Sequence, residues 1–223
     1  MKKYFLTAAA LLLLSPLTAS ADLVGTTTMK MIVSPMTGPA GTIQKVQFPS
    51  DTTAQNYLVD YEADIGAASL SGYTFYSVDN AEVFCVEDAN MYTKNVASYY
   101  SFYNTTDILL SNAGKVTWIA EKYFLGAIAK EVAQVAIWKT VIGGTYIGGY
   151  SSAADTFLAT YNGTLQYINN YLVAVSPAVG STDTNNYQNF LVKATAPVPE
   201  PGTMLLFGTG LAGLAAVSRR RRS

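Results

Sequence analysis

Residues 113–142 read AGKVTWIAEKYFLGAIAKEVAQVAIWKTVI, and their apolar spacing decides the fold class. Val116, Ile119, Ala120, Tyr123 and Phe124 recur at helical intervals, as do Ile128, Val132, Val135 and Trp138 or Lys139. Ser111 or Asn112 stands where the first helix needs a cap, and Gly143-Gly144 ends the second. A third amphipathic stretch runs over 153–168, with Phe157, Tyr161, Leu165 and Ile168 on one face. Both flanks differ. They are rich in Tyr, Thr, Ser, Asn and Val, a composition suited to strands. Candidate strands are Thr42–Phe48, Tyr57–Asp64, Tyr73–Val78, Glu82–Glu87, Tyr171–Val175 and Tyr187–Ala194, with turns at Ser50–Thr53 and Ser181–Asn186. Strands, then helices, then strands predict an α+β body: an antiparallel, barrel-like sheet with a helical insertion.

The charge pattern limits what such a body does. Residues 22–198 carry 8 Lys and no Arg against 14 Asp and Glu, a formal charge of −6 that repels phosphate backbones, so no nucleic-acid partner is expected. The chain has no His, which excludes Ser-His-Asp and Cys-His nucleophiles and His-ligated metals. One Cys excludes an internal disulfide and any CxxC motif. The run Gly143-Gly144-Thr145-Tyr146-Ile147-Gly148-Gly149 lacks the Lys-Ser/Thr of a phosphate loop and reads as a short flexible loop. No cofactor and no enzymatic turnover are expected.

The two ends are addresses. Lys2 and Lys3, the apolar run Tyr4–Leu14 and Ala19-Ser20-Ala21 predict a signal peptide over 1–21, cut by signal peptidase between Ala21 and Asp22. At the other end, Pro199-Glu200-Pro201 precedes 17 uncharged residues, Gly202–Ser218, and then Arg219, Arg220, Arg221 and Arg222. As a helix the apolar piece is roughly 26 Å long, at the short limit of a membrane span. The four Arg should hold their side in the cytoplasm. The three parts, in order over 196–223, resemble the PEP-CTERM sorting signal of Gram-negative bacteria. That resemblance implies processing by an exosortase-type system, anchoring in the inner membrane beforehand, and a final place at the cell surface or in an exopolysaccharide-rich biofilm matrix. The organisation expected is therefore a signal peptide (1–21), a secreted body (22–195) and a sorting segment (196–223) with one C-terminal transmembrane helix.

Within the body, Cys85 sits in Val83-Phe84-Cys85-Val86-Glu87, a predicted strand. Gln134 interrupts an apolar helical run, Val132-Ala133-Gln134-Val135-Ala136-Ile137-Trp138. Burying an unpartnered amide there costs about 1–3 kcal/mol, so the residue calls for an explanation. An aromatic-Cys-aliphatic strand, the helix segment Val116-Thr117-Trp118-Ile119-Ala120, Gln-x-Ala-Ile-Trp on the next helix and a late Tyr187–Val192 strand resemble the bacterial thioester domain. The resemblance covers roughly residues 75–192 and implies that the Cys85 thiol and the Gln134 carboxamide condense, releasing ammonia. The resulting bond would acylate an amine-bearing target on a surface, with Phe84, Trp118 and Trp138 keeping water away. Without His, polarisation falls to backbone amides, Tyr hydroxyls or a carboxylate such as Glu87. The alternative is a non-covalent structural or exopolysaccharide-binding matrix protein with an inert, buried Cys85. Asp60-x-Glu62-x-Asp64 would align three carboxylates on one strand face, either a solvated surface or a calcium site.

Overall fold

The computed structural model describes residues 21–32, 43–49, 51–58, 61–87, 96–180, 187–197 and 209. Among the described residues eleven strands appear in chain order: β1 Leu23–Ile32, β2 Ile43–Gln47, β3 Gln55–Leu58, β4 Tyr61–Ile65, β5 Ser69–Leu70, β6 Tyr73–Phe75, β7 Ala81–Cys85, β8 Ala97–Asn104, β9 Thr145–Ile147, β10 Tyr171–Val175 and β11 Phe190–Thr195. The helices are α1 Thr105–Leu109, α2 Ala113–Phe124, α3 Lys130–Val141 and α4 Gly149–Leu158. All of them lie between β8 and β10, so the helical insertion expected from the sequence is present.

The main sheet runs β10-β8-β1-β4-β7-β11, and a further pairing of β10 with β11 closes it into an antiparallel barrel of six strands. Closure removes the free edges that would otherwise template aggregation. Strands β6 and β5 extend from the far end of β11, and β2, β3 and β9 make a separate antiparallel sheet in the order β3-β2-β9. Alternation drives the barrel strands. In β8, Ser98, Tyr100 and Phe102 are buried while Tyr99 is 60% exposed. Tyr61, Tyr100 and Phe190 meet as a ring cluster, with Phe190 5.6 Å from Tyr61 and 6.4 Å from Tyr100. Each such fully buried side chain contributes about 1.5–3 kcal/mol of burial.

Helix α3 lies against β7, and α2 packs on α3 and reaches β7 through Tyr123 and β11 through Glu121. Val116, Ile119 and Ala120 of α2 and Val135 and Trp138 of α3 are buried, as their spacing predicts, whereas Ile128 and Val132 of the second stripe are half-buried and Ile137, off the stripe, is buried. Asn112 occupies the cap position of α2 without a side-chain capping bond. Beyond Val141 the Gly143 N–H donates to the Trp138 carbonyl at 3.0 Å, and a φ of +80° at Gly143 ends the helix.

Four expectations need correction. The single strand expected over Tyr57–Asp64 is two elements in different sheets, β3 and β4. Strand Tyr73–Val78 ends at Phe75, because Tyr76 turns out to solvent. The third helix stops at Leu158 rather than Ile168, in a turn at 159–160 where the Thr160 N–H donates to the Phe157 carbonyl at 3.0 Å. The glycine-rich run 143–149 holds a paired strand, β9. Among the described residues no helix is long and apolar enough to cross a membrane. The signal peptide up to Ser20, the motif Pro199-Glu200-Pro201, Arg219–Arg222 and all of Gly202–Ser218 except Thr209 lie outside the described residues.

Candidate functional site

Cys85 is the last residue of β7, and both of its neighbours in the barrel shape its surroundings. On one side it is paired with Phe190 of β11. On the other side, the ladder with β4 is described as far as Tyr61 opposite Val83, two residues short of Cys85. There the side chain of Gln134 reaches in from α3. The Cys85 N–H donates to Gln134 Oε1 at 2.9 Å, and Gln134 Nε2 donates to the Cys85 carbonyl at 2.8 Å. The carboxamide thus supplies the pair of hydrogen bonds that a neighbouring strand would make. Both residues are completely buried. The two predicted site residues, 49 positions apart, are brought together.

The thiol is hydrogen-bonded as well: Cys85 Sγ lies 3.0 Å from the Glu87 carbonyl. The Glu87 carboxylate is engaged elsewhere, accepting the Asn189 N–H at 3.1 Å and so tying the start of β11 to the end of β7. Among the described residues the donor to the Gln134 carbonyl oxygen is instead a backbone amide, that of Cys85 itself.

One turn before Gln134, Lys130 leaves the same face of α3. Its side chain is 8% exposed, yet its ammonium is fully engaged. It donates to the Tyr61 carbonyl at 3.0 Å, pairs with Glu82, and lies 5.1 Å from the centre of the Phe84 ring. One turn after Gln134, Trp138 packs edge-on against Phe48 at 5.4 Å, which in turn meets Tyr146 at 6.3 Å. Burial, and after it the charge of Cys85, raises the pKa of the Tyr146 phenol, which donates to the Gly143 carbonyl at 2.8 Å. Lys130, Glu82, Phe48 and Tyr146 carry no motif of their own. The usable signals were helical spacing from Gln134 for Lys130, and a lone aromatic between glycines for Tyr146.

The three expected shielding residues separate. Trp138 sits beside the site on α3. Phe84 leaves β7 on the face opposite Cys85 and packs on Tyr123 at 5.6 Å. Trp118 stacks flat on Phe157 of α4 at 4.6 Å and leans on Tyr161, so its ring contacts join α2 to α4.

Other candidate residues are accounted for locally. Asp60 lies outside the described residues. Asp64 pairs with Lys30 at 2.7 Å and accepts the Asn80 N–H at 3.1 Å, contacts that hold its carboxyl below the usual range. Among the described residues no group of three metal-ligating side chains forms. The backbone nitrogen of Asp22 donates to Asp107 at 3.3 Å, so a cut before Asp22 would set the new ammonium against that carboxylate.

What the described residues define before any comparison is a closed barrel in which a buried carboxamide from α3 is bonded to the backbone of the one cysteine. Comparison with protein families then identifies the tail. Residues 197–222 match the PEP-CTERM protein-sorting motif. The chain is therefore an exported protein with a C-terminal sorting and membrane-anchoring tail of the kind an exosortase system processes. No curated protein and no solved structure matched.

Proposed function

We propose that the body forms an internal thioester between Cys85 and Gln134 and uses it to attach the exported protein covalently to an amine-bearing surface. The observation that carries this reading is the reciprocal pair of hydrogen bonds holding a fully buried carboxamide against Cys85. In the condensation, Sγ attacks Gln134 Cδ. The Sγ–Cδ bond forms, the Cδ–Nε2 bond breaks, and ammonia leaves with the thiol proton. The Cys85 N–H, already on Oε1, stabilises the negative charge that develops there. Capture reverses the roles: a primary amine attacks Cδ, an amide forms, and the Cys85 thiol is released. Each molecule reacts once, so the protein is a single-use attachment module and not an enzyme. The sorting tail puts such a module at the cell surface or in the surrounding matrix, after a period in the inner membrane. A Gram-negative biofilm rich in exopolysaccharide is the setting that this tail favours.

The hydrogen bond from Cys85 Sγ to the Glu87 carbonyl favours a second reading, in which the thiol is inert and Gln134 only completes the sheet. The protein is then a non-covalent structural or polysaccharide-binding component of the matrix. Intact mass separates the two. Freshly purified, folded protein should be lighter than its sequence by one ammonia and unreactive to thiol alkylation, and methylamine should add at Gln134 while freeing Cys85. Cys85→Ala and Gln134→Ala should each abolish both the mass deficit and the addition of methylamine. Full sequence mass with a free thiol in the wild type refutes the thioester.

A further inference from the structure

A cavity of about 220 Å³ opens where the end of α2 meets β7, β11 and the connection between β6 and β7. Phe124 comes from α2, Glu82 from β7 and Lys193 from β11, while Tyr76, Ser77 and Asn80 come from the connection. Glu82 and Cys85 are three positions apart on one strand, so their side chains leave it on opposite faces. The cavity is therefore separate from the buried thiol. Tyr76 is 68% exposed, yet it is held from three directions. Its N–H donates to the Lys193 carbonyl at 3.1 Å, the Phe124 ring meets its ring edge-on at 5.5 Å, and the Lys193 ammonium lies 5.0 Å from its centre. A large ring kept in water forgoes the stabilisation of burial, and the apolar face of a ligand laid on it restores that stabilisation.

The charges around the cavity are balanced. Lys193 pairs with Glu121 at 3.0 Å, and Glu82 pairs with Lys130. Lys193 also lies 4.3 Å from the Phe124 ring centre, so both rings already carry a cation. A charged ligand would have to compete with these pairs, and a neutral one does not. The polar groups that remain complement hydroxyls. The Ser77 hydroxyl donates to the Asp79 carbonyl at 2.9 Å and so offers a ligand its lone pairs, and the Glu82 carboxylate also accepts. Asn80 is exposed, its backbone N–H donates to Asp64 at 3.1 Å, and its carboxamide supplies donors and an acceptor. A pyranose matches this lining: its C–H faces are apolar, and the hydroxyls around its edge both donate and accept. The volume is below the roughly 300–1,000 Å³ of sites that enclose a drug-sized ligand, so one ring is the right scale.

From this arrangement we infer that the cavity binds one neutral hexopyranose unit, stacked on Tyr76 with its hydroxyls bonded to Ser77, Asn80 and Glu82. The inference does not depend on the thioester. It gives the second reading above the place at which a polysaccharide is held, and it gives a thioester-bearing protein a second, reversible contact with a surface.

The test uses the full chain in a detergent without a sugar head group, with folding confirmed by circular dichroism. The probes are the methyl glycosides of glucose, galactose and mannose, with methyl glucuronide as the anionic counterpart, and binding is titrated by saturation-transfer NMR. At least one neutral glycoside should bind, with the strongest transfer to the C–H protons of one ring face. Tyr76→Ala should weaken that binding about tenfold, the scale of one stacked aromatic contact, and Tyr76→Phe should retain it. Asn80→Asp should also weaken it, because the side-chain donors go while a residue tolerant of the φ of +47° at this position stays. If Tyr76→Ala does not fold, Asn80→Asp takes its place. Binding of none of the neutral glycosides, tighter binding of the glucuronide, or unchanged binding in the folded variant overturns the inference. Intact mass of the same samples reads the ammonia deficit separately, so the thioester and the sugar site stand or fall apart.

Discussion

Replacing Gln134 by Glu should make the stability of the body depend on pH between 4 and 8. The experiment is done in a Cys85→Ala background, where no thioester forms and the backbone partners at position 85 remain. The wild-type carboxamide donates through Nε2 to the position-85 carbonyl and accepts through Oε1 from the position-85 N–H. A protonated carboxyl reproduces both bonds. An ionised one keeps the bond from the N–H but turns a negative oxygen towards a carbonyl, in a site with no exposed surface. Full burial raises a carboxyl pKa by up to about 3–5 pH units, and the retained N–H donor offsets part of that. A net rise of about 2–3 units above the ordinary value near 4.3 is the reasonable expectation. Because the folded pKa is raised, the stability it represents is fully present below about pH 4.3 and is lost as pH climbs through the folded value. The loss approaches about 3–4 kcal/mol by pH 8. For a chain of this size that is roughly 10 °C in Tm. Urea or thermal unfolding by circular dichroism, every half unit of pH from 4 to 8, measures it against Cys85→Ala alone. Gln134→Met serves as the control, since it should be destabilised at every pH by removing the side-chain partner of two buried backbone groups, at about 1–3 kcal/mol each. A difference between Gln134→Glu and its parent that stays flat across the range would refute the geometry argued here. Glu at position 134 is also what hydrolysis of the proposed thioester would leave, there beside a free Cys85 thiol.

Three further outcomes follow from single contacts. Tyr171→Phe removes a buried hydroxyl that donates to Glu121 at 2.7 Å, and should cost about 1.5–3 kcal/mol in chemical denaturation at pH 7. Burial, then this bond to Glu121, raises the Tyr171 pKa, so its contribution is intact below about pH 10 and declines as pH rises beyond that. The variant's alkaline limb, followed from pH 9 to 11, should be shallower than the wild type's. Lys130→Met strips the Tyr61 carbonyl and Glu82 of their shared cation and should cost about 1–3 kcal/mol by thermal unfolding, with Lys130→Arg recovering part of it. Changing Arg219, Arg220, Arg221 and Arg222 together to Ser removes the charges that oppose translocation of the tail, and cell fractionation should find the protein mislocalised.

Local patterns were legible and long-range closures were not. Strand β10 was readable to the residue, because Tyr171–Val175 is a short apolar run between a turn and Pro177. Helices α2 and α3 were readable from their stripes. Strand β1 was not, since two of its three buried positions are Met29 and Met31, which carry no strand preference, and only Thr27 among them does. The split of Tyr57–Asp64 into β3 and β4 is a choice of partner sheet, which no local pattern encodes. The pairing of β10 with β11 that closes the barrel is of the same kind. Strand β9 was hidden by its glycines; what makes it a strand is the edge of β2, a hundred residues earlier. At the site, a Gln in an apolar run was informative because a buried amide must find partners. Which partners it finds depends on where α3 crosses β7, and only the fold gives that.

That crossing has a consequence for how the site is built. Lys130, Gln134 and Trp138 lie at intervals of four on α3, one above another on the same face. The first is bonded to the Tyr61 carbonyl of β4 and to Glu82 of β7, the second to both backbone groups of Cys85, and the third packs against Phe48 beyond β2. One helical face therefore ties the barrel to the smaller sheet, with the carboxamide between its two anchors. An interaction lost at either end shifts the register of the helix on the barrel, and a shift of a fraction of an ångström at Gln134 lengthens two hydrogen bonds at once. Condensation requires the thiol and the carboxamide carbon within contact distance and held there, so it is more sensitive to such a shift than folding is. On the thioester reading proposed above, Lys130 variants that fold should therefore acquire less of the ammonia deficit than the wild type when made at the same temperature. A folded Lys130→Met protein that acquires the full deficit would show that Gln134 is positioned by the barrel alone.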